Sequence, residues 1–226
     1  DHKRWLSAAK LAWKTRPAGP KALLWQVFYF LEAGILADHI TSRGVKALHN
    51  HFGDSSGTVA MLTSEMTGIP FSVTLHGPTI FFEPLWWRLD EKITRAAFIS
   101  CISHFCRSQA MYFSNDERWN RLKIVHCGVE IPKYGNKPRT NRGKAIYFVG
   151  RLDPVKGVPL LLQAFTALAD KHPDSTLTII GDGPSRQMLE DKAAAHSLAG
   201  RVAFLGYKPA SEVATLLEDA DMLVLP

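Results

Sequence analysis

Residues 145–171 read AIYFVGRLDPVKGVPLLLQAFTALADK, and residues 176–180 read TLTII. The two short apolar and β-branched runs predict buried strands, and the apolar spacing of residues 158–171 predicts the helix between them. Strands that alternate with helices of about 10–15 residues are typical of βαβ units, which build parallel sheets. This part of the chain therefore predicts an α/β fold.

The same alternation continues on both sides of this segment. Predicted strands are residues 45–52, 71–75, 97–102, 123–127, 145–149, 176–180, 202–205 and 222–225, and predicted helices are residues 55–67, 84–96, 104–113, 158–171, 185–197 and 211–218. Residues 132–144 have the composition of a linker, rich in Pro, Gly and basic residues. We predict an N-terminal domain, residues 1–131, and a C-terminal domain, residues 145–226. Ligands of open parallel sheets bind at the carboxyl ends of the strands, so both domains are expected to face a shared cleft.

Composition restricts the class of protein. Apolar residues make up 46% and charged residues 21% of the chain, which excludes disordered and fibrous classes. None of the three cysteines, Cys101, Cys106 and Cys127, forms a CxxC motif with another, which indicates a reducing compartment. The longest apolar run, residues 22–36, is interrupted by polar residues and is too short to span a bilayer.

A basic segment with tryptophans opens the chain. Its basic residues are Lys3, Arg4, Lys10, Lys14, Arg16 and Lys21, and Trp5, Trp13 and Trp25 lie in or next to it. Two interpretations stay open: a surface that rests on anionic lipid, or the solvated face of a helix. Nucleic acid is not a predicted partner, because the sequence has neither zinc-finger spacing nor an RRM-type aromatic motif.

The loop after residues 145–149 carries two cations at the carboxyl end of a predicted strand. Arg151 and Lys156 enclose the tetrapeptide LDPV, and Gly157 opens the next helix. Backbone N–H groups, the helix dipole and two cations suit an anion such as a diphosphate. The loop therefore predicts an anion site, and ordinary surface charges are the alternative.

The sequence of this loop, VGRL at residues 149–152 followed by KG at residues 156–157, resembles the donor-phosphate loop of the family-4 retaining glycosyltransferases (glycosyl transferases group 1). Residues 178–184 (TIIGDGP), 204–207 (FLGY) and 220–226 (ADMLVLP) resemble the next family segments in the same order. The resemblance implies a GT-B fold, in which two Rossmann-like domains face a cleft. It assigns the diphosphate to Arg151 and Lys156. It assigns donor binding to Gly150, Gly181, Asp182, Gly183, Pro184 and Tyr207.

The first block carries further matches. Residues 49–52 (HNHF), 74–77 (TLHG), 102–107 (ISHFCR) and 126–130 (HCGVE) resemble family segments, although the last departs from the usual Asn-Gly-Val-Asp. The resemblance implies that His76 lies against the donor sugar as a catalytic residue. It implies that His49, His51, Ser103 and Arg107 line the acceptor side. The family's opening strand, its Gly-rich acceptor loop and its later Glu-containing segment have no match, so we expect a piece of a longer protein, cut at both ends.

The resemblance implies transfer of a sugar from a nucleotide-diphosphate sugar to a glycan or polyprenyl-linked acceptor, with retention of configuration, in surface polysaccharide biosynthesis. We expect a cytoplasmic enzyme, with peripheral membrane association as an open possibility. No metal is expected, because two cations can stabilise the leaving diphosphate and no Asp-x-Asp follows a predicted strand.

Two other functions stay open. One is a metal-dependent hydrolase with zinc at His49, His51 and His76, because His49 and His51 leave the same face of a strand. The other is a non-catalytic module that binds a nucleotide sugar. Histidines satisfied by backbone groups in the core or at a hinge are the structural alternative for His49 and His51.

Overall fold

The computed structural model describes residues 2–77, 79–130, 143–195, 198 and 200–226. The chain divides into two compact units, Asp1–Gly128 (unit 1) and Val129–Pro226 (unit 2). Each unit contains a four-stranded sheet whose neighbouring strands are parallel. The predicted linker, residues 132–144, lies outside the described residues except for Gly143 and Lys144. The predicted α/β class is confirmed.

Unit 1 begins with two long helices, α1 (His2–Thr15) and α2 (Pro20–Ser42). Its strands, in spatial order, are β1 (Leu48–His51), β2 (Phe71–Leu75), β3 (Ile99–Cys101) and β4 (Leu122–Ile124). The helices between them are α3 (Ser55–Thr67), α4 (Thr79–Phe82), α5 (Leu89–Arg95) and α6 (His104–Tyr112), and a 3₁₀ helix, Asp116–Arg121, precedes β4. Within the described ranges, no helix combines the length and apolar character needed to cross a membrane.

Local signals explain why α3 and β2 match their predicted bounds. Gly68 ends α3 in the left-handed conformation (φ 79°) and donates its N–H to Ser64 O at 2.8 Å. Glycine adopts this conformation without the penalty that a side chain brings. All five residues of β2 are buried, and the core of unit 1 includes Phe71 and Leu75 from this strand together with Leu62 of α3. The bounds of β2 and α3 are therefore determined by the burial of both elements in the same core.

The predicted helix over residues 84–96 is wrong in its first half. Residues 84–88 form turns, and α5 begins only at Leu89. Arg88 has φ 48° and ψ 51°, a left-handed conformation that cannot continue a right-handed helix. Its guanidinium donates to both carboxylate oxygens of Asp90, at 3.0 and 2.8 Å, which stabilises this conformation.

The predicted strands 45–52, 97–102, 123–127 and 222–225 are longer than the observed β1, β3 and β4 and than the last strand of the chain, β8 (Met222–Leu223). A strand extends only as far as a neighbour pairs with it. Leu48 is the first residue of β1 with a partner in β2, and the two residues of β8 are in register with Ile146 and Tyr147 of β5 (Ala145–Val149). Apolar patterning does not report this limit, because residues beyond the last pair keep their apolar character.

Unit 2 has strands β5 (Ala145–Val149), β6 (Thr176–Ile180), β7 (Val202–Gly206) and β8 (Met222–Leu223), in the spatial order β7-β6-β5-β8. Its helices are α7 (Val158–Lys171), α8 (Arg186–Ala195) and α9 (Ala210–Leu217). The predicted helix 185–197 ends at residues that lie outside the described ones. The strand order changes direction at β5, whose neighbours are β6 and β8. In doubly wound sheets ligands bind at such a switch point, at the carboxyl ends of the strands.

Candidate functional site

The loop after β5 is fastened to the turn after β6 by main-chain hydrogen bonds. Gly150 donates its N–H to Ile180 O at 3.0 Å, and Leu152 donates to Asp182 O at 2.9 Å. The Leu152 side chain is fully buried and anchors the loop in the core. These contacts hold the predicted phosphate loop at the carboxyl edge of the sheet.

Two glycines allow this close approach. A Cβ on Gly181 would lie 1.9 Å from Gly150 O, and Gly181 has φ 142°. A Cβ on Gly183 would lie 2.6 Å from Leu152 O. Real Cβ atoms do not approach main-chain oxygens so closely, so neither position accepts a side chain without movement of the loop.

The two predicted cations differ in their surroundings. The Arg151 guanidinium lies 3.0 Å from Asp153 Oδ2, and its side chain is 66% exposed. Asp153 also accepts the Val155 N–H at 3.3 Å and so caps the 3₁₀ turn that carries Lys156. Lys156 is exposed and forms no ion pair with any residue in the described part of the chain. Both cations are therefore accessible to a ligand.

Asp182 shares its cationic partner with a second carboxylate. Its carboxylate accepts the Gly183 N–H at 2.8 Å and pairs with Arg186 at 3.0 Å, and these contacts lower its pKa. Arg186 also pairs with Glu190 at 2.8 Å, so it balances the charge of Asp182 only in part. Lys156 remains the cation of this loop without an ion pair among the described residues.

A cavity of about 440 Å³ brings five of the predicted donor residues together. It is lined by Gly150, Arg151, Gly181, Asp182 and Tyr207, and also by Val149, Ile180, Lys208 and Val213. Lys156, Gly183 and Pro184 are not part of this lining. Sequence reasoning missed Lys208, which forms an ion pair with Glu212 at 3.3 Å. Its signal was its position two residues after the end of β7, at the same edge of the sheet.

In unit 1, His49 is bound to the neighbouring strand through both ring nitrogens. Nδ1 lies 2.7 Å from Ser72 Oγ and Nε2 lies 2.9 Å from Thr74 Oγ1, while the ring stacks on Phe98. Burial, and then the nearby histidines, lower the pKa of His49. Both ring nitrogens of His49 are therefore engaged in contacts with β2.

His51 and His76 form a pair. His51 Nδ1 lies 2.7 Å from His76 Nε2, with one nitrogen as donor and the other as acceptor. Phe52, next in the chain, lies with its ring centroid 5.1 Å from that of His76 and has φ 75°. A bulky residue with positive φ costs about 1–3 kcal/mol, and such strain clusters at functional sites. Asn50 Nδ2 holds the strained backbone by donating to Phe52 O at 2.7 Å.

His76 lines a cavity of about 330 Å³, together with Phe52, Gly53, Asp54 and Trp87 among others. His49 and His51 do not line it. The structure thus places His76 at a potential ligand site and His51 behind it as the partner that orients its ring. The assigned roles of these three histidines stay predictions.

Ser103 and Arg107 have structural partners. Ser103 Oγ accepts the Cys106 N–H at 3.1 Å and caps α6, and Arg107 Nε donates to Leu122 O at 3.2 Å. Neither residue lines the cavity at His76. Their predicted place on the acceptor side stays a prediction.

The alternative zinc site is not assembled. Among the residues that the structure describes, no three His, Cys, Asp or Glu side chains are grouped to hold a metal ion. His49 is bonded to two hydroxyl groups, and His51 and His76 face each other. The geometry does not favour the hydrolase alternative.

A buried lysine supports the loop next to His76. Lys92 of α5 is 1% exposed and donates to Gly53 O at 2.6 Å and to Asp54 O at 2.8 Å. Burial lowers its pKa to about 7, against the opposing effect of Asp54 and Asp90. Sequence reasoning missed Lys92, since nothing in a single sequence distinguishes it from a surface lysine.

Lys92 makes stability depend on pH. Its folded-state pKa, about 7, lies below its value in the unfolded chain. Between these values the unfolded state binds more protons, so the free energy of unfolding rises with pH by up to about 1.4 kcal/mol per unit. Urea unfolding from pH 7 to pH 9 should show this rise in the wild type and a smaller one in Lys92→Met. Equal slopes for both proteins would contradict the prediction.

Comparison with known proteins gives relatives for both units. Residues 132–226 match the family model described as Glycosyl transferases group 1. The uncharacterized glycosyltransferase YqgM of Bacillus subtilis is 37% identical over 187 residues, 79% of this chain and 51% of the relative. The putative teichuronic acid biosynthesis glycosyltransferase TuaC of Bacillus subtilis is 25% identical over 195 residues, 79% of this chain and 46% of the relative. The chain thus spans about half the length of these curated relatives.

A solved structure with the same fold is that of HepE from Anabaena, in complex with UDP and glucose. It superposes with a TM-score of 0.69 at 18% sequence identity, over 85% of this chain and 55% of that one. At this identity the likeness shows the fold. The predicted GT-B fold class is confirmed.

Proposed function

We propose that the protein is a glycosyltransferase, because residues 132–226 match the model of the glycosyl transferases group 1 family. It moves a sugar from a nucleotide-diphosphate sugar to a glycan or lipid-linked acceptor. The observation that carries the proposal is the cavity of unit 2, in which Arg151 and Tyr207 meet the glycine turn at Gly181. The open strand-end loop, the exposed cations and the close main-chain packing all suit a diphosphate.

The chemistry requires cleavage of the bond between the anomeric carbon and the diphosphate oxygen. Negative charge grows on the leaving diphosphate, and preorganised cations and N–H groups stabilise it. Arg151 and Lys156 supply the cations, and the positive end of the dipole of α7, which begins directly after Gly157, adds to their field. These residues bind the leaving group and lower the barrier to its departure.

Retention of configuration is the second part of the proposal. The acceptor hydroxyl oxygen then forms its bond to the anomeric carbon on the face from which the diphosphate leaves. The departing diphosphate oxygen is within reach of the hydroxyl proton and takes it up. We propose no metal in this step, since the two side-chain cations balance the charge of the leaving group.

His76 is the proposed contact for the sugar in unit 1. Its Nε2 is held by His51 at 2.7 Å, which leaves Nδ1 for a ligand. The ring borders the cavity of about 330 Å³, so a sugar hydroxyl has access to it. His51 acts through His76 as a positioning residue.

The relatives suggest a substrate class and a place of action. HepE is in complex with UDP and glucose, and TuaC bears a name from teichuronic acid biosynthesis, which favours a UDP-sugar and a surface polysaccharide. For this chain we propose a cytoplasmic enzyme that rests on the membrane. Exposed apolar side chains of α1 and α2, such as Trp13 and Leu24, lie within three residues of Lys10, Lys14 or Lys21 in the sequence and support the lipid interpretation.

The proposal is tested by calorimetric titration of the chain with UDP, GDP and ADP, before and after treatment with EDTA. We expect at least one of them to bind with a Kd below about 1 mM, equivalent to roughly −4 kcal/mol. The affinity should not change after EDTA treatment. Failure of all three nucleotides to bind would contradict the proposed donor site, and loss of binding after EDTA would contradict the metal-independent chemistry.

A further inference from the structure

A second cavity in unit 1 takes no part in the proposed transfer step. It has a volume of about 480 Å³ and lies where the turn between α1 and α2 meets the segment before α5. Its lining includes four large aromatic side chains, Trp25, Tyr29, Trp86 and Trp87. We call it the aromatic cavity.

The walls of the aromatic cavity are held by specific contacts. Arg88 binds Asp90 through two hydrogen bonds and Lys14 O through a third, at 3.2 Å, which ties the segment with Trp86 and Trp87 to α1. On the other side, the buried Gln26 donates to Ala12 O at 3.0 Å and fastens α2 to α1. The aromatic residues are thus presented by elements that are joined to each other.

The rings on α2 are also oriented. Trp25 and Tyr29 lie one helical turn apart, and their rings stack with centroids 6.2 Å apart and an interplanar angle of 24°. Trp25 is 50% exposed and Trp86 is 45% exposed. Large flat surfaces are therefore accessible from solvent in a preformed cavity, as is usual for small-molecule sites.

The chemistry of these rings favours a saccharide. The face of an aromatic ring has a negative electrostatic potential and attracts the polarised C–H groups on one face of a pyranose ring. In the part of the chain that the structure describes, the indole N–H groups of Trp25, Trp86 and Trp87 have no hydrogen-bond partner. Sugar hydroxyls can accept from these groups, whereas a hydrocarbon chain cannot.

The charge at the cavity favours an acidic ligand. Lys21 lines it, is exposed and forms no ion pair with the described residues. The other lining cation, Arg88, is balanced by Asp90 and Glu91 at 2.8 and 3.4 Å. Lys21 therefore leaves a net positive charge, which a carboxylate or phosphate on the ligand would complement.

Trp87 connects the aromatic cavity to the proposed reaction site, because it also lines the cavity next to His76. We propose that the aromatic cavity binds an acidic saccharide unit of the acceptor, with its rings against Trp25 and Trp86 and its anionic group at Lys21. In naming the acceptor, this inference rests on the proposed function.

The test uses the full chain and two probes, a hyaluronan tetrasaccharide, which carries glucuronate, and the neutral chitotetraose. Binding is measured by saturation-transfer NMR and calorimetry. Trp86→Ala and Trp25→Ala should each weaken both saccharides about tenfold, the effect of losing one stacked ring. Lys21→Gln should weaken only the acidic one. The matched control, Trp119→Ala, removes an exposed tryptophan of the 3₁₀ helix and should leave both affinities unchanged.

Absence of saccharide binding to the wild type would overturn the proposal, as would equal binding by Trp86→Ala, Trp25→Ala and the control. Binding of decyl phosphate without either saccharide would overturn it in favour of a lipid site. UDP titration of each variant separates this inference from the proposed function. UDP binding without saccharide binding would contradict only the proposed saccharide site in the aromatic cavity. Saccharide binding without UDP binding would contradict only the proposed donor site.

Discussion

Arg151→Ala and Lys156→Ala should each lower kcat/KM for the nucleotide sugar by about 10²–10³-fold, the usual effect of removing one preorganised electrostatic partner. Arg151 lines the cavity of unit 2, and Lys156 lies on the same loop without an ion pair among the described residues. The free energy of unfolding should hardly change, since both side chains are exposed. Loss of activity with retained stability would identify a functional role.

The measurement is a transfer assay together with urea unfolding of each variant. Arg151→Lys keeps the charge but loses the planar fork that binds two phosphate oxygens, so its activity should fall between wild type and Arg151→Ala. Lys171→Ala, at the far end of α7, is the matched control for Lys156. Activity within about threefold of wild type, roughly 0.6 kcal/mol, would remove both residues from the chemistry.

Gly181→Ala should destabilise unit 2 by about 3–5 kcal/mol, a large effect for one methyl group. The added Cβ would lie 1.9 Å from Gly150 O, and φ 142° is unfavourable for alanine. The loop cannot yield easily, because Gly150 donates to Ile180 O and Gly181 donates to Gly206 O at 2.8 Å. Nucleotide binding should be lost together with stability.

Gly200→Ala separates the effect of the steric contact from the effect of the unfavourable backbone conformation. Gly200 has φ 78°, but a Cβ there would meet no atom within 4 Å, so only the conformational penalty of about 1–2 kcal/mol applies. Urea unfolding should therefore show a clearly smaller loss than for Gly181→Ala. Equal losses would show that the contact with Gly150 O does not determine stability.

The sequence predicted elements well where local signals agree with burial. Residues 55–67, 71–75, 145–149, 158–171 and 176–180 have the predicted bounds, because apolar period and capping residues coincide there. It failed over residues 84–88, where the conformation of Arg88 depends on Asp90 and on Lys14 O from a distant helix. A contact across 74 positions has no local signature.

The start of the chain was predicted only as a surface. Residues before 45 received no element, yet α1 and α2 account for most of them and pack on α3 through buried residues such as Ala8, Leu11, Ala33 and Ala37. These small residues allow close helix packing but do not stand out from the basic and aromatic residues around them. The apolar residues exposed on the other faces weaken the amphipathic pattern that identifies a helix.

The candidate site likewise contains some residues that the sequence predicted and others that it could not predict. The position of Arg151 at a strand end indicated an anion site, and the family resemblance implied donor roles for Gly150, Gly181, Asp182 and Tyr207. The fold brings all five residues to one cavity. Lys92 and Trp87 could not be predicted, because their importance depends on packing against loops that are far away in sequence. Position along a strand is visible in a sequence, whereas burial of a single polar side chain is not.

The contact between Gly181 and Gly150 restricts how this site can evolve. The atom that excludes a side chain at position 181 is a main-chain carbonyl oxygen, which every amino acid carries. No second substitution at position 150 can therefore compensate for a larger residue at position 181. Diversification of donor preference, in nature or in a directed-evolution library, has to proceed through side chains that line the cavity, such as Tyr207, Lys208 and Val213.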